Sequence, residues 1–92
     1  MSHDVELLSR PVNFAVVKLA ARSYPGVVFQ GDTLNGLVQQ LMLMSELLVR
    51  RELEELSDEI KYMHEQLSEA LVYYEVVCAQ HSIGLPYAKS GE

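Results

Sequence analysis

Cysteine, positive charge, long apolar runs and helix-breaking residues are all scarce in this chain, and each shortage closes off a class of reading. Cys78 is the only cysteine among 92 residues, so an internal disulfide is excluded, and a reducing cytoplasmic setting is the expectation. No charged-then-apolar leader is visible over residues 1–10, which points the same way. No apolar stretch approaches the roughly 18 residues that a membrane helix needs, so no membrane partner is expected. Lys and Arg total 7 against 13 Asp and Glu, a net charge of −6. Neutralising a phosphate backbone takes clustered cations, so nucleic acid is not an expected partner. Finally, neither glycine nor proline occurs between Gly36 and Gly84, and that interval is free to be helical throughout.

What is present fits one folded domain over residues 1–92. Hydrophobic residues make up 49%, well above a disordered chain, so a packed core is expected. Charge is unevenly placed: residues 1–31 carry Arg10, Lys18 and Arg22 against Asp4 and Glu6, a balance of +1, which leaves −7 for the remainder. Residues 5–9, 14–20 and 27–30 are short and β-branched, bounded by Arg10-Pro11 and by Ser23-Tyr24-Pro25-Gly26. They predict a small antiparallel three-stranded meander over 1–31, with Pro25-Gly26 as the central pair of a type II turn. At Gly31-Asp32 the period changes. Asp32 is suited to cap a helix beginning near Thr33, with Leu34, Leu37, Leu41, Met44 and Leu48 at helical spacing. The fold class is therefore α+β: a meander, a helical region over 32–82, and a tail over 83–92 that Gly84 and Pro86 divide from the last helix.

The helical region reads either as a long hairpin or as one long helix. Leu53, Leu56, Ile60, Met63, Leu67, Ala70, Tyr74 and Val77 recur at alternating steps of three and four, the pattern of a coiled-coil seam. The first apolar series, extended past Leu48, falls instead on Arg51 and Glu55, so the phase breaks between the two. Arg50-Arg51 suits a helix C-terminus, and Glu52, Glu54 and Glu55 suit an N-terminus. Ser57-Asp58 offers a second N-cap. Against a turn stands the missing glycine; one helix over 33–81 would run roughly 70 Å.

Strand length bears on association. A strand of six residues spans roughly 20 Å and the second helical segment about 43 Å, so a sheet covers only half of the seam. Between Leu34 and Val49 only Asn35, Gly36, Gln39, Gln40, Ser45 and Glu46 are not large apolar residues, and a helix apolar nearly all round is buried on several sides. The expectation is a homodimer near 21 kDa, twice 10.4 kDa, held by Leu43, Leu47, Leu53, Leu56, Ile60, Met63 and Leu67. The plainer alternative is a monomer with the first helix enclosed between sheet and second helix.

Residues with chemical potential each have a duller explanation. Gly31-Asp32-Thr33-Leu34 echoes the Gly-Asp-Ser-Leu block of a serine esterase family, with Thr33 as nucleophile. That chemistry also needs a histidine base, an orienting carboxylate and an oxyanion hole, and a helix cap accounts for the same residues. Cys78-x-x-His81 with His64 offers too few metal ligands, and a buried cysteine beside a helix-end histidine accounts for the pair. No cofactor and no catalytic activity are expected. Glu52, Glu55, Asp58, Glu59, Glu65 and Glu69 crowd one segment in which Lys61 is the only cation. They read as a solvated face that keeps a dimer soluble, or as a surface for a basic protein partner with Tyr62 and Tyr73 as anchors. Tyr74 reads as core. Arg10, Asn13 and Arg22 could line a ligand groove between sheet and helices.

Glu6-Leu7-Leu8-Ser9-Arg10-Pro11-Val12-Asn13, Pro25-Gly26-Val27-Val28 with Gln30-Gly31-Asp32-Thr33-Leu34, Tyr74-Glu75 and Leu85-Pro86-Tyr87 together resemble an uncharacterised family of short bacterial proteins. The resemblance implies a strand-then-helix order and no activity. Three functions stay open: a self-associating interaction or regulatory protein, an immunity or antitoxin-like inhibitor, and a small-molecule binder.

Overall fold

The computed structural model describes residues 5–8 and 14–88, and in these the chain forms β1 (Val5–Leu7), β2 (Phe14–Leu19), β3 (Gly26–Phe29), α1 (Gly31–Val49) and α2 (Leu53–Gln80). The sheet is an antiparallel meander in the order β1-β2-β3, with Leu7 opposite Val17 and Val16 opposite Val27. One side of it rests on the C-terminal half of α2. Val16 is fully buried with Tyr74, Val77 and Cys78, and Leu8, Val27, Ile83 and Leu85 close around them. The Phe14 ring meets Tyr73 edge-on at 5.4 Å. The Tyr74 hydroxyl donates to the Pro25 carbonyl at 2.8 Å, so the strand connection is tied to the helix that carries the core. Burial raises the Tyr74 pKa, with the neighbouring Cys78 thiol adding to it.

The helical region is a hairpin, and it turns without glycine. Arg51 adopts φ 60°, the left-handed conformation in which a helix ordinarily places glycine. Around it Glu52 N–H donates to the Leu47 carbonyl at 2.9 Å and Arg51 N–H to the Leu48 carbonyl at 3.0 Å, the paired bonds of a Schellman motif. The same device ends α2. Ser82 has φ 57°, Ser82 N–H bonds the Ala79 carbonyl, and Ile83 N–H bonds Cys78 at 2.8 Å. Ile83 is thereby delivered onto the core, and the tail from Ile83 to Tyr87 packs as irregular chain with no strand. The Arg50 Nε and Glu52 Oε2 atoms pair at 2.7 Å across the turn, and Glu54 and Glu55 lie in the first turn of α2, where the helix dipole favours them.

Two expectations need correcting. The tight turn between β2 and β3 is at Leu19–Arg22, closed by Arg22 N–H on the Leu19 carbonyl at 3.1 Å, while Gly26 is a strand residue opposite Val17. Pro25 leads into the strand and cannot extend the ladder as a donor, which is why β3 begins just after it. The helix starts earlier than Asp32 predicts: Gln30 is the N-cap, Leu34 N–H reaches the Gln30 carbonyl at 2.9 Å, and Asp32 sits inside the first turn accepting from Thr33 N–H at 2.7 Å.

Candidate functional site

Each helix divides its heptad between two sides. On α2 the row Leu56, Met63, Ala70 and Val77 turns inward, half-buried or buried, whereas Leu53, Ile60 and Leu67, seven residues apart, stay exposed. On α1 Met44 and Leu47 are buried and Leu37 half-buried, whereas Leu34, Leu41 and Leu48, again seven apart, stay exposed. Antiparallel packing of α1 on α2 consumes one row from each helix and leaves the other row from each on a common side. Leu41 and Ile60 retain 54% and 51% of their surface, far more than core residues keep. Val38 and Leu71 extend the same face, and the positions interleaved at helical spacing are Ser45, Ser57 and His64. The face is broad and mainly apolar, with Ser45, Ser57 and His64 as its polar positions.

Of the residues expected to hold a second copy, Leu53, Ile60 and Leu67 therefore lie on this face. Leu56 and Met63 lie between α1 and α2 within one chain, and Leu43 projects from the opposite side of α1. Leu47 is fully buried and is closed to any partner while the hairpin is intact. Spacing alone missed Leu34, Val38, Leu41 and Leu48, because a heptad pattern does not say which of its two rows the chain itself will use.

The acidic residues divide as well. Glu55, Asp58, Glu65 and Glu69 fall with Tyr62 on one stripe of α2, at steps of three and four, all exposed. Glu52 is engaged with Arg50, and Glu59 is half-buried toward α1, its carbonyl accepting from Gln40 Nε2 at 3.5 Å. The stripe borders a groove of about 290 Å³ floored by Phe14, Phe29, Leu37 and Ala70, with Glu65, Glu69 and Tyr62 on its wall. Thr33 also touches this groove, held in the first turn of α1.

Arg10 and Asn13 lie outside the described residues. Arg22, in the connection between β2 and β3, borders a shallow concavity of about 600 Å³ with Leu19, Tyr24 and Val28. Cys78 is buried, His64 is exposed, and the Nε2–H of His81 donates to the Leu8 carbonyl at 3.1 Å. Among the described residues no three His, Cys, Asp or Glu side chains converge as metal ligands, and no helix is long and apolar enough to cross a membrane.

No curated protein and no solved structure matches the chain. Residues 1–87 match DUF6959, a family of unknown function, and the chain belongs to that family.

Proposed function

We propose that this is a non-catalytic, self-associating interaction protein of the bacterial cytoplasm, whose working surface is the uncharged face of the helical hairpin. The observation that carries the reading is the pairing of two exposed heptad rows, Leu34-Leu41-Leu48 and Leu53-Ile60-Leu67, on one side of one hairpin. Contiguous apolar patches of this kind mark interaction sites on soluble proteins. A second copy presenting the same face completes a four-helix bundle, in which every helix has two neighbours and both heptad rows are buried. The buried free thiol of Cys78 supports a reducing compartment.

The test is sedimentation of the native chain beside Leu41→Glu with Ile60→Glu. Both sites are half-exposed in one chain, so the variant keeps its fold, and two carboxylates pressed into an apolar interface cost several kcal/mol. The native chain sediments at 21 kDa or more, at least twice 10.4 kDa, and the variant at half the native mass. A native chain of 10.4 kDa at about 100 μM overturns the reading.

The acidic stripe supports a second reading, an immunity-like inhibitor of a basic protein. Glu65 and Glu69 stand beside Tyr62 at the mouth of an aromatic-floored groove, where opposite potential would speed encounter and an arginine stem would find apolar contact. The expected signature is binding of acetylated tetra-arginine that weakens in Glu65→Gln with Glu69→Gln, and equal binding by native and variant chains counts against it.

A further inference from the structure

Phe14, Phe29, Leu37 and Ala70 floor a groove at which the sheet, α1 and α2 meet, and Glu65 and Glu69 stand on its α2 wall. Its volume of about 290 Å³ is at the bottom of the range of about 300–1,000 Å³ for small-molecule sites. A single long side chain fits there, and a large cofactor does not. The Phe14 and Phe29 rings lie 6.0 Å apart, and Tyr73 meets Phe14 edge-on at 5.4 Å, so contacts within the chain set the floor before anything binds.

The wall supplies the charge. Glu65 and Glu69 are one helical turn apart, close enough to repel each other. Both are exposed, and among the described residues neither is paired with a cation. Lys61, the only Lys or Arg of α2, makes no ion pair with Glu65. An occupant complementary to this groove therefore has an apolar stem and a positive head. Arginine matches both better than lysine does, because its planar guanidinium stacks on aromatic rings, is weakly hydrated and presents a fork of donors to carboxylates.

The stripe beyond the groove adds a second point of attachment. Asp58 and Glu55 precede Glu65 by seven and ten residues on the same side of α2, about 10 and 15 Å at about 1.5 Å per residue. An extended chain covers that distance in about three to five residues. We infer that groove and stripe together bind an extended segment of another protein, with one arginine seated over Phe14 and Phe29 and a second cationic residue, about three to five positions away, held by Asp58 and Glu55. The inference rests on the reading of a basic protein partner, which asks only for positive charge, whereas a guanidinium at a fixed spacing is required here.

NMR titration of the full chain at about 0.15 M salt tests this with acetylated, amidated Arg-Gly-Ser-Gly-Arg, beside the same peptide carrying two lysines or two citrullines, citrulline being the neutral isostere. The arginine peptide is expected to shift the backbone amides of Phe29, Leu37 and Ala70 and to bind several-fold more tightly than the lysine peptide, and the citrulline peptide is expected not to bind. All four carboxylates are exposed, so their amide variants keep the fold. Glu65→Gln with Glu69→Gln removes the shifts at the floor of the groove. Glu55→Gln with Asp58→Asn weakens the pentapeptide several-fold and leaves N-acetylarginine amide unaffected. Equal binding of the arginine and lysine peptides, with shifts confined to the stripe, overturns the guanidinium site while the basic-partner reading survives. N-acetylarginine amide bound as tightly as the pentapeptide overturns the two-point segment and makes the occupant a small guanidinium compound. No binding of either cationic peptide at millimolar concentration, or equal binding of the citrulline peptide, defeats both.

Discussion

Arg51 and Ser82 occupy left-handed backbone at φ 60° and 57°, a conformation that costs an ordinary L-residue about 1–2 kcal/mol. Glycine removes that cost and gives part of it back through the greater freedom of the unfolded chain. Arg51→Gly should therefore stabilise the protein by about 0.5–1 kcal/mol, read as a rise in urea midpoint at unchanged slope. In the interior of one continuous helix the same change would destabilise by about 1 kcal/mol, so the sign alone decides between a turn and an unbroken helix. Tyr87 makes a different kind of tie. Its hydroxyl donates to Glu75 Oε2 at 3.0 Å, and burial followed by that bond and the Glu75 charge pushes its pKa from 10.0 to about 12. The neutral phenol is the form that folding favours, so the folded chain holds this proton more tightly than the unfolded one. The contribution is complete below pH 10.0 and is lost as pH climbs toward 12. Thermal melts from pH 9 to 11 should show native stability declining, and Tyr87→Phe should decline less steeply, with the remaining slope assigned to Tyr74, whose pKa is also raised.

At the scale of elements, the break in apolar phase after Leu48 and the charges around it pointed toward the hairpin but left one long helix open, because a heptad that jumps to another side of the cylinder cannot keep one straight seam while the missing glycine argued against a turn. The absence of glycine there pointed the wrong way only because backbone hydrogen bonds to Leu47 and Leu48 hold a non-glycine residue where glycine is usual. The meander was legible in its β-branched segments, but which side of it faces α2 was not: Ala15 and Val17 are as apolar as Phe14 and Val16, so period-two alternation gives no preference. The same ambiguity hid the bare rows of the hairpin. Seam residues are recognised by spacing, but their partition into inner and outer rows depends on where the second helix lies. For a related reason spacing did not say which side chains Arg22 would stand beside, since strand order alone does not fix on which side of the sheet the helices pack; it borders a concavity with Leu19, Tyr24 and Val28. One contact binds these elements across the chain. Tyr74 donates to Pro25 from inside the core, and Tyr74→Phe leaves that carbonyl without its donor, at an expected cost of about 1–2 kcal/mol, measurable by chemical denaturation.

For the whole molecule, the decisive quantity is how little of it one chain encloses. Among the described residues the buried hydrophobic side chains are Val16, Met44, Leu47, Ala70, Tyr74, Val77 and Cys78, and the radius of gyration is 16.3 Å, against about 12 Å for a compact chain of this length. A chain this open lacks the burial on which small domains depend, so its stability should come in large part from other copies. Folding and association are then one equilibrium, and mass action makes the melting temperature rise with protein concentration. Each tenfold increase contributes about 1.4 kcal/mol per mole of dimer. Spread over the unfolding entropy of two chains of 92 residues, that is a rise of about 3–5 °C. Calorimetry on the native chain from about 1 to 100 μM should therefore move the midpoint upward by roughly 6–10 °C. Leu41→Glu with Ile60→Glu should melt lower at every concentration and respond more weakly to it, because an association step has been removed. A midpoint constant to within about a degree across that range would mean that one chain is stable by itself, and the exposed rows of the hairpin would then have to be accounted for by a different partner.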